Sequence, residues 1–374
     1  MNFIQRQVLN FETFLFELCL LGMKKLVVLF VLLIGCKFVT AQVGGANPMR
    51  TGLDSVVDKT AQAYMLKKGR VGLSIGIVTA RGIHKYHYGE VAPGTKKLPD
   101  DYSIYEIGSI TKTFTGLLVA QAIVEGKMEM NADIRKYLPG RFSNLQYAGG
   151  EAIKLGSVLT HTAQLPFSFE AGDEASFLKQ LAELKVDSLK PRYAYSNVGY
   201  KLLGYALEQM YQLPYDELLA RNITSVLKMK DTRVSYANKD RLLQGFDKDG
   251  KPTSPISAVM PGAGAIHSNL EDMLKYTVYQ LAENDAAVKL THRVMYGNVD
   301  QNAKGLQWDI GKTRNWDYYI RADGGTEGFR TFCALYPDES IGIVLLSNQT
   351  DDMTGGDLYG IIVAVLGELK SKKN

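Results

Sequence analysis

The spacing of apolar residues changes along the chain, and each spacing predicts a different element. Apolar positions recur at helical intervals over residues 53–68, and Gly69 ends this stretch. Residues 71–78 form a short apolar run typical of a buried strand, and residues 83–88 alternate as a half-buried strand does. The N-terminal part of the domain is therefore predicted to be a helix, a strand, a tight turn and a second strand.

The same patterns return in reverse order towards the C-terminus. Residues 109–125 are predicted to be helical, and mostly helical signals continue from 131 to about 238 between Pro and Gly turns. Successive strands and a closing helix are predicted at 305–310, 317–321, 329–336, 340–347 and 358–369. This order indicates an α/β (α+β) fold in which both ends of the chain build one sheet. An all-helical lobe is inserted at about residues 126–250.

The first 41 residues have the composition of a leader. Lys24 and Lys25 precede an apolar run at 26–35, which predicts a secretory signal peptide that starts at Met23. Residues 1–22 are then an upstream extension, and the alternative is an N-terminal anchor. Residues 42–374 form the predicted mature domain.

Two processing sites compete in this leader. Small residues at 39–41 suit cleavage before Gln42, whereas residues 33–36 resemble a bacterial lipobox that would place a lipid on Cys36. Either route predicts export to the bacterial periplasm, as a free protein or as a lipoprotein anchored to the membrane.

Composition narrows the classes of function. The chain has 374 residues, of which 46% are hydrophobic and 22% charged, as in ordinary globular proteins. A net charge of +4 gives no basic face for nucleic acid. Cys333 is the one cysteine beyond the leader and is predicted to be a core residue, and no His or Cys group has metal-ligand spacing. We therefore expect neither a metal nor another cofactor.

Three serines lie in patterns that suggest a nucleophile. Ser74 lies in a G-x-S-x-G pattern, but that motif needs a helix after the serine and here strand surrounds it. Ser109 and Ser225 each precede a lysine by three residues, which puts both side chains on one helical face. Only Ser109 follows a glycine, Gly108, that permits a tight entry into a helix, so Ser109 is the favoured candidate.

Two further elements complete the candidate site. Tyr195 and Asn197 lie directly before a predicted helix at 198–210, whereas the similar pairs at Tyr236 and Tyr296 are interpreted as turn tyrosines. Glycines at 324, 325 and 328 follow a predicted strand, where they let a ligand approach the backbone closely.

In chain order, residues 109–112, 195–197 and 323–326 resemble the three motifs of the serine β-lactamase and penicillin-binding protein superfamily. The Y-x-N form is similar to its class C β-lactamase and family VIII esterase branch. Residues 159–166 and 264–272 are also similar to that branch, and the resemblance spans about residues 50–368. It implies an antiparallel sheet flanked by helices, with the site in the crevice beside the helical lobe.

The resemblance also implies roles for the motif residues. Ser109 would attack a carbonyl and form an acyl-enzyme. Lys112 and Tyr195 would act together as the base, and either could be the deprotonated group that accepts the proton of Ser109. Asn197 would orient Lys112 and bind substrate, and the N–H groups of Ser109 and Gly325 would form the oxyanion hole.

The chain departs from the family pattern at two places. Ala322 stands where the family has Lys or His, and residues 163–164 replace a usual Ser-Gly pair. With Gly324 and Thr326, Ala322 would line the substrate. Because alanine offers no donor for a substrate carboxylate, an esterase, D-amino-acid peptidase or acyltransferase is favoured over a true β-lactamase. The alternative is a non-catalytic binder of cell-wall fragments.

Four other titratable residues near the motifs are assigned structural roles. His161 and His267 lie in loops where structural hydrogen bonds are the usual use of histidine. Glu106 and Glu327 are interpreted as solvated or structural, since a carboxylate beside Lys112 would keep that lysine protonated.

Overall fold

The computed structural model describes residues 47–371 apart from 188–191, 237–238, 258, 260 and 316. The predicted signal peptide, Met23 and Cys36 therefore lie outside the described residues. Within the described ranges the strands are β1 (Gly72–Thr79), β2 (Gly82–Gly89), β3 (Tyr105–Glu106), β4 (His267–Ser268), β5 (Ala303–Lys304), β6 (Asp309–Lys312), β7 (Tyr318–Gly325), β8 (Arg330–Tyr336) and β9 (Ile341–Ser347).

One helix of the same ranges precedes β1, one follows β9, and the others lie between β3 and β5. They are α1 (Gly52–Met65), α2 (Thr111–Val124), α3 (Leu155–Leu159), α4 (Glu174–Glu183), α5 (Asn197–Tyr211), α6 (Tyr215–Leu219), α7 (Leu270–Ala282), α8 (Ala286–His292) and α9 (Thr354–Ser371). Among the described residues, none of the helices is both long enough and apolar enough to cross a membrane.

Both ends of the chain meet in one seven-stranded antiparallel sheet. Its strand order is β2-β1-β9-β8-β7-β6-β5, so the first hairpin pairs with the last strand, with Ile75 opposite Leu345. This confirms the predicted fold class. The two faces of β1 are apolar because each is covered by helices: Ile75 packs in a cluster with Val57 of α1 and Ile362 of α9. On the other face, α7 lies so close that a Cβ on Gly76 would be 2.8 Å from Leu274.

The strand predicted at 305–310 is present only at its end, where β6 begins, and residues 305–308 form a turn. The structure has two short strands, β5 and β6, joined by a tight turn in which the N–H of Gly305 donates to the carbonyl of Trp308 at 2.8 Å. Leu306 and Trp308 suggested a strand because both are apolar, but both are buried in the core cluster that includes Phe114 of α2. Their burial comes from helix packing and not from strand pairing.

The segment at 264–268 does not join the seven-stranded sheet. Its strand β4 pairs with β3 in a separate two-stranded sheet, with Glu106 opposite His267, and His267 also bridges to Arg233. The pairing of β3 with β4 fixes the end of β3. Because Ser109 follows β3 by only three residues, this pairing also helps to position Ser109.

Candidate active site

Ser109 is held against the end of β7 by the glycine that precedes it. It belongs to a short 3₁₀ turn, Gly108–Ile110, that runs directly into α2. Gly108 has a φ of +52°, which favours glycine, and a Cβ there would be 2.7 Å from the backbone nitrogen of Gly325. Any other residue would push the two segments apart, so Gly108 sets the distance between Ser109 and the backbone of Gly325.

Lys112 lies one helical turn beyond Ser109, with its side chain on the same face. Its Nζ is 2.9 Å from Ser109 Oγ and donates a second hydrogen bond to the carbonyl of Ala263. The side chain is completely buried, and burial lowers the pKa of Lys112 to about 7. A substantial fraction of Lys112 is therefore neutral near neutral pH and able to accept a proton.

Tyr195 reaches the same serine from the start of α5. Its hydroxyl donates to Ser109 Oγ at 2.6 Å, and Lys112 Nζ lies 4.9 Å from the centre of its ring. Burial raises the pKa of Tyr195 to about 12, and the hydrogen bond to Ser109 opposes this only in part. Tyr195 is thus a protonated phenol at neutral pH, in contrast to Lys112.

Asn197 is the first residue of α5, close to Tyr195 in the chain. Among the described residues, the hydrogen bonds of Lys112 go to Ser109 and Ala263 and none goes to Asn197. The carbonyl of Ala263 therefore makes the orienting contact that the resemblance assigned to Asn197. A role for Asn197 in binding substrate stays a prediction.

The end of β7 forms the other wall of the site. A side chain at Gly324 would overlap the carbonyl oxygen of Ile107, so this glycine permits the close approach of β7 to the serine turn. Ala322 is buried, with only 5% of its surface exposed. Thr326 bonds with its hydroxyl to the carboxyl group of Glu106, whose pKa is raised by burial. Glu106 also accepts the N–H of Ile256 at 2.8 Å, so its role is structural.

His161 lies behind Tyr195 and is fixed on both ring nitrogens. Its Nδ1 accepts the backbone N–H of Ser196 at 3.0 Å, which leaves the proton on Nε2, 2.7 Å from Gln307 Oε1. Burial lowers the pKa of His161 to about 3, so the ring is neutral. The predicted structural hydrogen bonds of His161 are confirmed. Gln307 itself has a φ of +72°, an unfavourable conformation for a residue other than glycine.

These residues surround a cavity of about 310 Å³ that opens onto Ser109. It is lined by Ser109, Tyr193, Tyr195, Lys304, Gln307, Asp309, Arg321, Ala322, Asp323, Gly325 and Arg330. The structure thus brings Ser109, Tyr195, Ala322 and Gly325 together around one space, with Lys112 buried behind the serine.

Four charged lining residues outside the three motifs were missed by the sequence analysis: Lys304, Asp309, Arg321 and Arg330. Lys304 pairs with Asp309, and Arg330 pairs with Asp323 of the third motif at 2.5 Å. The position of Arg330 could have been predicted, because two predicted strands joined by a short Gly-rich hairpin place it opposite Gly325. The position of Lys304 could not, because the turn at 305–308 was predicted to be strand.

The second S-x-x-K pair lies away from this cavity. Ser225 and Lys228 line a larger, more open surface groove, but Lys228 has a φ of +56° and so does not continue a helix from Ser225. Their side chains make no hydrogen bond to each other in the described structure. Size alone therefore does not identify the reactive site, and the geometry favours the cavity at Ser109.

Ser74 has the contacts of a catalytic triad without access for a substrate. Its Oγ is 2.9 Å from His87 Nδ1, and His87 Nε2 is 2.9 Å from Asp101 Oδ1. However, Ser74 lies in the middle of β1, is completely buried and shares its hydroxyl with Tyr105 at 2.8 Å. The array is a structural hydrogen-bond chain, in agreement with the interpretation of Ser74 as a strand residue.

The described part of the chain contains no candidate site for metal binding or for a reactive thiol. No three His, Cys, Asp or Glu side chains within the described residues come close enough to hold a metal ion. Cys333 is buried in β8 as predicted, and burial raises the pKa of its thiol to about 12.

Comparison with known proteins agrees with this geometry. The Beta-lactamase family model matches residues 57–365, so the chain belongs to the β-lactamase family. It is a serine hydrolase of the serine β-lactamase and penicillin-binding protein superfamily.

Curated relatives cover most of the chain. A β-lactamase of Pseudomonas fluorescens is 26% identical over 347 residues, which span 80% of this chain and 94% of the relative. The D-alanyl-D-alanine-carboxypeptidase/endopeptidase AmpH of Escherichia coli K12 is 25% identical over 324 residues, or 79% and 84% of the two chains.

Solved structures share the fold. A β-lactamase/D-alanine carboxypeptidase from Yersinia pestis, complexed with citrate, superposes with a TM-score of 0.75 at 23% identity and covers 85% of this chain and 98% of its own. A class C β-lactamase superposes with a TM-score of 0.77 at 20% identity, with coverages of 87% and 98%.

Proposed function

We propose that this protein is an exported acyl-transfer enzyme that forms an acyl-enzyme on Ser109 from an ester or amide substrate. The observation that carries the proposal is the position of Ser109 Oγ, which lies within hydrogen-bond distance of both Lys112 Nζ, at 2.9 Å, and the hydroxyl of Tyr195, at 2.6 Å. A nucleophile bonded to its base within one cavity is the arrangement that serine acyl transfer needs.

The protonation states support Lys112 as the base. Neutral Lys112 takes the proton of Ser109 as Oγ attacks the carbonyl carbon, and the charge that forms on Nζ is held by the carbonyl of Ala263. The N–H groups of Ser109 and Gly325 receive the developing oxyanion. The carbonyl then reforms, and the bond to the leaving group breaks as Tyr195 delivers a proton to it and is reprotonated from Lys112.

Deacylation reverses these roles. Water, or a second alcohol or amine, loses its proton to Lys112 through Tyr195 and attacks the acyl carbon. The bond from that carbon to Ser109 Oγ then breaks, and Lys112 returns a proton to Oγ, which restores the resting form of Ser109. The same site thus supports hydrolysis and transfer, depending on which nucleophile enters the cavity.

Ester, D-amino-acid peptide or acyl-transfer substrates are favoured over β-lactams. Ala322 is buried and offers no donor at the place where the resemblance puts the group that holds a substrate carboxylate. The curated relatives include an enzyme named as a D-alanyl-D-alanine carboxypeptidase as well as β-lactamases, which supports a peptide-like substrate.

Labelling with a fluorescent fluorophosphonate tests the nucleophile. We expect the wild type to be labelled and Ser109→Ala not to be. Ser74→Ala is the matched control, because Ser74 bonds to His87 as a catalytic serine would but is completely buried, and this variant should be labelled like the wild type. Labelling that persists in Ser109→Ala would overturn the assignment. A wild type that neither labels nor turns over esters, yet binds peptidoglycan fragments, would favour the non-catalytic binder.

Export and lipidation are proposed from the leader. If Cys36 carries a lipid, Cys36→Ala should move the protein from the membrane fraction to the soluble fraction of a bacterial host. A soluble wild type whose N-terminus is Gln42 would instead establish cleavage by the ordinary signal peptidase.

A further inference from the structure

We propose that Arg330 binds a carboxylate of the substrate beside Gly325, and that the substrates are acyclic esters or amides with a carboxylate close to the bond that is cleaved. This inference rests on the proposed function, since it concerns the same cavity. It names the chemistry of the substrate, which the motif residues leave open.

The position of Arg330 is fixed by strand register. Arg330 begins β8 directly opposite Gly325, the residue proposed for the oxyanion hole. A Cβ built on Gly325 would be 2.9 Å from Arg330 Nη1, so the guanidinium lies against the backbone of Gly325. Arg330 lines the same cavity as Ser109. A group held by this guanidinium is therefore next to the reacting carbonyl.

Arg330 retains donors for a ligand. Nη2 is paired with Asp323 Oδ2 at 2.5 Å, whereas within the described residues Nη1 has no protein acceptor. About 31% of the Arg330 side chain is exposed, which keeps it accessible from the cavity. A planar guanidinium with unused N–H groups suits a carboxylate, which accepts two parallel hydrogen bonds.

The other cations of the cavity are engaged by protein groups. Lys304 is paired with Asp309 and lies 4.6 Å from the ring of Tyr193. Arg321 packs between two aromatic rings, 4.7 Å from Tyr319 and 5.1 Å from Tyr359. Arg330 is also paired, with Asp323, but it differs from both in that its guanidinium lies against the backbone of Gly325.

The face on which Arg330 lies predicts which carboxylates it can reach. Its guanidinium lies 5.6 Å from the centre of the Phe332 ring, and a Cβ built on Gly355 of α9 would be 3.2 Å from it, on the face of the sheet that α9 covers. Ala322 packs in the core cluster on the opposite face. A fused β-lactam ring holds its carboxylate rigidly, whereas an acyclic substrate rotates to bring its carboxylate to the α9 face. Arg330 therefore favours acyclic substrates.

The experiment uses the purified full-length protein and two esters of phenylacetylglycine. The leaving group of one is 3-hydroxybenzoate, and that of the other is the isosteric but uncharged 3-hydroxybenzamide. We expect Arg330→Gln to lower kcat/KM for the charged ester by about 10- to 100-fold, the size of one charge-assisted hydrogen bond, and to change the neutral ester by less than about threefold. Arg330→Lys should recover part of the loss.

Two further variants sharpen the test. Asp323→Asn removes the internal competitor for Arg330 and should raise kcat/KM for the charged ester relative to the neutral one. Arg135→Gln is the matched control: Arg135 is paired with Asp133 and is similarly exposed, at 29%, but lies outside the cavity, so the ratio should not change.

The outcomes separate this inference from the proposed function. If both esters acylate Ser109 and Arg330→Gln changes them equally, carboxylate binding by Arg330 is wrong and the acyl-enzyme mechanism stands. If neither ester is turned over and Ser109 is not labelled, the proposed function itself fails. In that case the binding of 3-hydroxybenzoate is measured by calorimetry. If Arg330→Gln binds it as tightly as the wild type, the carboxylate site is overturned separately.

Discussion

The imidazole ring of His161 stacks on the phenol ring of Tyr195, with ring centroids 4.4 Å apart and 29° between the planes. The hydrogen bonds of His161 to Ser196 and Gln307 fix the plane of the imidazole. That plane in turn limits where the Tyr195 hydroxyl can lie relative to Ser109. A neutral ring suits this place, because a positive charge there would repel the proton that Lys112 must accept.

Gln307→Gly should separate activity from stability. The left-handed conformation of residue 307 costs a non-glycine residue about 1 kcal/mol, and glycine removes this cost. The substitution also removes a hydrogen bond to His161 that stabilises the fold by a similar amount. The free energy of unfolding should therefore change by less than about 1 kcal/mol. Without Gln307, His161 and Tyr195 lose their fixed orientation, and we expect kcat to fall about tenfold with little change in KM. Urea titration and ester kinetics measure the two quantities. A large loss of stability with unchanged kcat would show that Gln307 serves only the fold.

The pH profile should report the protonation of Lys112. Below its pKa of about 7 the lysine is charged and cannot accept the serine proton, so kcat/KM for a neutral ester should rise about tenfold per pH unit and level off above pH 7. Tyr195→Phe should lower kcat/KM, but the rise of kcat/KM with pH should still level off near pH 7. If this rise disappears in Tyr195→Phe, the phenol of Tyr195 and not Lys112 is the base.

Lys112→Met should abolish acylation and stabilise the fold. In the unfolded chain Lys112 titrates near 10.5, and in the folded protein near 7. Between these values the unfolded state binds a proton that the folded state does not, so the stability of the wild type rises with pH across this window. Methionine does not titrate.

The stability difference between these two proteins therefore has a defined pH dependence. We expect the Lys112→Met variant to be more stable by at least about 1 kcal/mol at pH 6, even after loss of the hydrogen bond to Ala263. The difference should shrink as the pH approaches 10. Urea denaturation at several pH values measures it, and a difference that is constant with pH would contradict a neutral Lys112 in the folded state.

Restoring a cation at Ala322 should change substrate preference. We expect Ala322→Lys or Ala322→His to raise acylation by a fluorescent penicillin by about tenfold or more, because one charge-assisted hydrogen bond is regained. Turnover of a p-nitrophenyl ester, which has no carboxylate, should change little. Equal gains for both substrates, or a wild type that hydrolyses β-lactams as efficiently as esters, would exclude the missing cation as the cause.

The sequence by itself determined the features that depend on short-range geometry. Helical spacing puts Lys112 on the face of Ser109, and Gly108 marks the tight entry to α2, because both follow from the local backbone. The apolar run at 71–78 predicted β1, and alternation at 83–88 predicted β2. The strands at the other end of the chain predicted a sheet that both ends share. The turn at 305–308 was not predicted, because apolar residues buried by helices have the same pattern as apolar residues in a strand.

Only the tertiary structure decided the chemistry of the site. The Ala263 carbonyl that holds Lys112 lies 151 residues away in the chain, and Tyr195 lies 86 residues from Ser109. The pKa of Lys112 depends on the water that surrounding elements exclude, and the free donors of Arg330 depend on which groups pack beside it. Desolvation and long-range contacts are sums over every neighbour, and no local pattern in the sequence specifies those neighbours.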